Sequence, residues 1–176
     1  HSDICAGVVA ASQTHMDQVW QTGICFGGSL SDYTVWLLER SLKTMVIRVK
    51  AQNDNAMKMA TYLNQNKDVD NVYYPGLESH PGHELAKSQM SLTPEIDASL
   101  FFKELKLIKP SMSLAGIEST MLSPTQTSHA LMSPEDRAKQ GIKDSLIRFS
   151  LGIEETEDLI ADIEQAIAKV KSITVT

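Results

Sequence analysis

The chain has 176 residues, enough for a stable core without covalent staples. Apolar residues make up 42%, which excludes disorder as the main state, and 16 basic against 22 acidic residues give a formal charge of −6. That balance excludes an ordinary nucleic-acid binder, whose phosphate contacts need a basic face.

No apolar run approaches the roughly 20 residues of a membrane helix, so no membrane partner is expected. Two cysteines, Cys5 and Cys25, are too few for a disulfide framework and lack metal-ligand spacing, which points to a reducing cytoplasm. The first residue is His1 rather than Met, and no basic n-region or h-region follows it. The sequence therefore reads as starting inside a longer chain or after processing.

Ile4 to Ala11 is a short run of small apolar residues, the pattern of a strand buried on both faces of a parallel sheet. A buried opening strand needs neighbours on each side, a second sign of a missing N-terminal part. Cys5 lies in that run and reads as an inert core thiol. Gly27-Gly28 marks a loop and Ser31-Asp32 a helix start.

From about Tyr33 to Gln65 apolar residues recur at spacings of three and four, with neither Pro nor Gly from Asp32 to Asn71. This predicts one long helix, or two with a break at Asn53-Asp54-Asn55. Glu39 and Lys43 form an i, i+4 pair. Val69 to Tyr74 is β-prone and stopped by Pro75-Gly76.

Short helices are expected at His83–Met90 and Pro94–Leu107, and strands at Ser113–Met121 and Ser145–Leu151. Pro134 opens a short helix that Gly141 stops. The last helix runs from about Glu157 to Val170, with acidic residues at its start and lysines at its end, complementing its dipole. This mixed order predicts an α/β or α+β arrangement.

Phosphate-loop, dinucleotide and hydrolase-elbow patterns are absent from the sequence. His80 and His83 flank Pro81-Gly82, which favours a turn or capping role over a zinc site, and no metal is expected. His129 is ambiguous from pattern alone. Arg148 stands out: alternation puts Leu146, Arg148 and Ser150 on one strand face and Ile147, Phe149 and Leu151 on the other. A charge there needs a partner. An internal salt bridge and a carboxylate fork are the two readings, the second suited to the planar guanidinium.

Several segments together resemble one family. His1-Ser2-Asp3 with Ala6-Gly7-Val8-Val9 resembles the stretch after the cofactor lysine in the cystathionine/methionine metabolism enzymes that use pyridoxal phosphate. Trp36 to Thr44 looks like that family's helix leaving the large domain. Val72-Tyr73-Tyr74-Pro75-Gly76-Leu77 with Ser79-His80-Pro81 is similar to its YYPGL-SHP segment. Ser113-Leu114-Ala115-Gly116 with Glu118-Ser119 resembles SLGG-ES, Ser128-His129-Ala130 resembles THA, and Leu146 to Glu154 resembles LIRLSVGIE.

The resemblance implies the C-terminal portion of an α/β fold-type I transferase. Residues 1–55 would be the remnant of the cofactor-binding large domain and its linking helix, and 56–176 the small C-terminal domain. It implies that Arg148 grips the substrate α-carboxylate, that Ser113 sits beside the cofactor lysine and carboxylate, and that Ser128 lines the substrate pocket. No catalytic residue is expected in the chain itself, because the lysine that forms the Schiff base would lie upstream of His1. The chain alone is therefore expected to be inactive. Near Met90-Ser91 about one strand of the family pattern is skipped.

Met112 precedes Ser113 where many cystathionine γ-enzymes carry an acidic residue. This favours a carbon–sulfur lyase of the cystathionine β-lyase or methionine γ-lyase type over a γ-lyase or γ-synthase. The resemblance also implies a sulfur amino-acid substrate and a homo-oligomer, usually a tetramer of paired dimers. A non-catalytic domain with an assembly role is the alternative of another class.

Overall fold

In the computed structural model residues 3–85, 105–112 and 114–174 are described. Helix α1 spans Gln13–Phe26 and stops at Gly27, whose φ of 77° is one that glycine adopts without a Cβ clash. Helix α2 spans Asp32–Leu42, and its Ser31 cap accepts from the Thr34 N–H. Helix α3 spans Met45–Gln65. Strands β1 (Lys109–Pro110), β2 (Thr120–Leu122) and β3 (Arg148–Ser150) form one sheet in that order, β1–β2 parallel and β2–β3 antiparallel. A 3-10 turn (Pro124–Gln126) and helix α4 (Pro134–Lys139) separate β2 from β3, and helix α5 (Thr156–Thr174) follows.

The chain divides into two compact units between Ile47 and Arg48, inside α3. In the first unit no described residue is buried; Trp20, Phe26, Tyr33 and Trp36 are all exposed. The second unit holds the core. Met59, Ala60 and Leu63 of α3 join Ile108, Met121, Ile147, Phe149 and Leu151 of the sheet region and Leu159, Ile163 and Ala166 of α5. Each fully buried side chain of this size adds roughly 1.5–3 kcal/mol of hydrophobic stabilisation. Asp162, nearly buried on α5, accepts from the backbone N–H groups of Lys106, Leu107 and Ile108 at 2.7, 2.8 and 2.9 Å and so fixes the entry to β1.

Several expectations are corrected. Residues 4–11 form no strand and are exposed apart from half-buried Ile4, and Cys5 is exposed, not a core thiol. Among the described residues no strand lies beside this run to complete a ladder. The break in the long helix falls at Lys43-Thr44, where the Thr44 hydroxyl and N–H both turn back to Ser41 O. Asn53-Asp54-Asn55 is uninterrupted helix: Asp54 pairs with Lys50 at 2.7 Å and the Asn55 amide is taken up by tertiary bonds.

Residues 69–74 are not a strand, because Val69 N–H bonds back to Asn66 O and Tyr74 O accepts from Leu77 N–H in turns. The strand expected at Ser113–Met121 is confined to its end, Thr120–Leu122; residues 115–118 are bent. Of the helix expected at His83–Met90, residues 83–85 are helical and 86–90 lie outside the described residues. Most of the helix expected at Pro94–Leu107 and the skipped strand near Met90-Ser91 also lie outside them, while 105–107 are not helical.

Three expectations agree with the structure. Pro134 opens α4, and Gly141, at φ 74°, follows its end. Helix α5 keeps its predicted apolar face. On β3, Ile147, Phe149 and Leu151 are buried in the core while Leu146, Arg148 and Ser150 stay half-buried on the other face.

Candidate functional site

One cleft in the second unit gathers the residues with chemistry. Its volume is about 400 Å³, and one wall is α3 (Val49, Gln52, Ala56). Leu114 and Ala115 form a second wall, and β3 a third, with Arg148 and Ser150 on it. The lining is largely apolar, with one cation.

Arg148 reaches the cleft because strand alternation turns it away from Phe149 and the core. Its Nη2 donates to Met112 O at 3.0 Å. Burial lowers the pKa of the guanidinium, but it stays cationic at neutral pH. A guanidinium against an apolar lining is a site for an anion with two oxygens in one plane. Burial likewise pushes the Tyr74 phenol, on the cleft wall, above its ordinary pKa, so it stays neutral there.

The facing wall is held in an unusual shape. Ala115 has φ 57°, the left-handed region that favours glycine, and its N–H donates to Ser150 Oγ at 2.9 Å. Gln52 Nε2 donates to both Gly116 O and Leu151 O, at 2.5 and 3.3 Å. Deeper in, Ser119 donates through N–H and Oγ to the Glu154 carboxylate at 2.7 and 2.8 Å, and Gly152 N–H donates to Ser119 Oγ. A Cβ at Gly152 would collide with Ile117 O, so only glycine lets the two backbones approach this closely. Asn55 closes the network: its Nδ2 donates to Gly152 O and Glu154 O, and its Oδ1 accepts from Thr156.

Of the residues singled out by sequence, the structure brings Arg148 and Met112 together. Met112 contributes its carbonyl, and its side chain is exposed. Ser113 lies outside the described residues. Ser128 is exposed, bonded to His129 Nδ1 at 2.9 Å, and is not among the residues lining the cleft. His80 takes the turn role, its Nδ1 accepting from Gly82 N–H, and His83 Nδ1 bonds Pro75 O at 2.8 Å. Sequence reasoning passed over Gln52 and Asn55. Their only signal was a cluster of amides in a helix, which there reads as a breaker.

The family model for Cys/Met metabolism PLP-dependent enzymes matches residues 1–168, and the chain belongs to that family. A cystathionine beta-lyase of Lactococcus lactis subsp. cremoris (strain MG1363) is 40% identical over 179 residues, covering 96% of this chain and 47% of the relative. A cystathionine gamma-lyase of Bacillus subtilis (strain 168) is 38% identical, covering 97% of this chain and 48% of the relative. The structure of cystathionine gamma-lyase from Lactobacillus plantarum complexed with L-serine superposes with a TM-score of 0.84 at 31% identity, over 93% of this chain and 45% of that one. The chain is thus α/β and spans about half the length of the curated relatives it matches.

Proposed function

We propose that the chain is the C-terminal part of a pyridoxal-phosphate-dependent carbon–sulfur lyase of sulfur amino-acid metabolism, of the cystathionine β-lyase or methionine γ-lyase type. The observation that carries the reading is Arg148 on the wall of the 400 Å³ cleft, bonded to Met112 O and opposite Leu114 and Ala115. Residues 1–55 are assigned to the end of the cofactor-binding domain with its linking helix, and 56–176 to the small domain of a fold-type I enzyme.

In this reading Arg148 holds the substrate α-carboxylate as a bidentate fork and so fixes the direction of the Cα–H bond. Ser113 and Ser128 belong to the same pocket in the whole protein. The apolar side of the cleft suits a thioether chain; the preference for the two named types over a γ-lyase or γ-synthase rests on the resemblance alone, because the Met112 side chain is exposed and does not line the cleft. Pyridoxal phosphate supplies the electron sink for such eliminations. The described cleft lining contains no lysine, so it does not fit the cofactor's imine by itself. The cofactor belongs to the parent protein, and the chain alone is inactive. A homo-oligomer and a cytoplasmic setting complete the proposal. In support of the setting, no helix among the described residues is long and apolar enough to cross a membrane.

The test is a titration of the chain, ¹⁵N-labelled at arginine, with L-methionine and L-cystathionine. The expected result is a saturable shift of the Arg148 guanidinium resonance at ligand concentrations on the order of millimolar, the range for a single clamped carboxylate. Methioninamide, which lacks the carboxylate, gives no such shift, and Arg148→Met abolishes it. An Arg148 resonance that ignores both amino acids overturns the reading.

A further inference from the structure

We propose that Gln52 is a positioning residue for Arg148: its single side-chain amide ties together two backbone segments at the cleft and so sets where the guanidinium points. The inference rests on the reading of Arg148 as the carboxylate clamp.

Two of the cleft's walls could drift apart, the one made by Leu114 and Ala115 and the end of β3. Direct ties between them run from Arg148 Nη2 to Met112 O and from Ala115 N–H to Ser150 Oγ. Both ties lie on the walls themselves. Gln52 comes from a third element, α3, and is half-buried on the cleft. Its Nε2 carries two hydrogens, and the two acceptors are one carbonyl from each wall, Gly116 O and Leu151 O. Both acceptor residues are buried, so water does not replace a lost donor freely.

The chain of consequence is short. The bond to Gly116 O orients the peptide that follows Ala115, the residue held at φ 57°. Ala115 is in turn tied through its N–H to Ser150 Oγ, on the same face of β3 as Arg148, and the bond to Leu151 O holds the end of that strand. The α3 anchor is itself fixed one turn on, where Asn55 bonds Gly152 O and Glu154 O. Gln52 touches no reacting atom. It acts on Arg148 through the backbone that carries it.

Gln52→Glu keeps the shape but has no N–H to donate, and it sets a carboxylate against two carbonyls. Gln52→Met keeps the length without charge and serves if the carboxylate unfolds the chain. The readout is the Arg148 Nε–H resonance and its heteronuclear NOE, with the Leu159 and Ile163 amides as reporters of the core. The expected result is that Arg148 loses its rigid-side-chain NOE while the α5 amides keep their shifts. L-methionine then binds roughly tenfold more weakly, the loss of one oriented charge-assisted bond.

Variants that keep the α5 shifts, the Arg148 NOE and the L-methionine affinity overturn the proposal. If wild-type chain binds no L-methionine but Gln52 variants still mobilise Arg148, the positioning role stands and the clamp reading is what fails.

Discussion

Ala115 places a β-carbon in backbone geometry that suits glycine. Its φ is 57°, and the segment it belongs to resembles a family pattern with Gly-Gly where this chain has Ala115-Gly116. The left-handed conformation costs a non-glycine residue about 1–2 kcal/mol. The side chain is exposed, so removing its methyl group sacrifices no packing. Glycine returns some of that gain by freeing the unfolded chain, about 0.4–1 kcal/mol. Ala115→Gly should therefore stabilise the chain by about 0.5–1 kcal/mol. The midpoint of urea unfolding, with the slope unchanged, measures it. A midpoint at or below that of the wild type would show that the wall carries no strain at this residue. The hydrogen bonds that hold Ala115 there, to Ser150 and through Gly116 to Gln52, are the same ones that shape the cleft. Strain of this kind persists only where surrounding contacts over-determine the backbone.

At the scale of the element, α4 shows how a short helix is held by its ends. Ser133 accepts from Asp136 N–H at 3.1 Å and donates to Asp136 Oδ2 at 2.8 Å, while Lys139 donates to Oδ1. The Ser133 hydroxyl, and then Lys139, hold the Asp136 carboxyl below the ordinary 3.8. A carboxyl depressed in the folded state stabilises above its unfolded pKa, and that contribution is lost as pH falls through the folded value. The Asp136 carbon resonance should accordingly titrate below 3.8 in the wild type and move upward in Ser133→Ala. An unmoved midpoint would assign the depression to something other than the cap.

The bounds of this helix, though not its Ser133 cap, were legible from the sequence because Pro134 and Gly141 are local signals with local causes. So was the alternation that points Arg148 outward. Whether helix α3 continues through Asn53-Asp54-Asn55 was left open by the sequence. Asn and Asp break helices when their side chains bond the local backbone, but Asn55 spends its amide on Gly152, Glu154 and Thr156, about a hundred residues away. The strands expected at 4–11 and 69–74 failed for a similar reason. A β-prone run becomes a strand only beside a partner, and a single run does not show its partner. Of the site, the cation was readable and its brace was not, since Gln52 matters only once Gly116 and Leu151 have been brought to it.

Across the whole molecule, burial is divided unequally. Residues 3–47 form helices without a buried side chain, while the core lies wholly beyond Arg48. Helices this short are marginal in water when no apolar face is packed. The two units should therefore open at different free energies. Amides of Met59, Ala60, Leu63, Leu159 and Ile163 should exchange only by global unfolding, and those of α1 and α2 with protection of no more than about 2 kcal/mol. The chain's two tryptophans, Trp20 and Trp36, both lie in the first unit and are exposed. Their fluorescence should be quenched freely by iodide and should change little through the transition that abolishes the far-ultraviolet helix signal of α3 and α5. Amides in α1 protected as strongly as those in α5, or a tryptophan transition coincident with that of the core, would mean that the first unit is packed in solution and that its apolar faces are covered. The same experiment on the whole parent protein should reverse the tryptophan result, because in the proposed assembly residues 1–47 belong to a larger domain that would bury those faces.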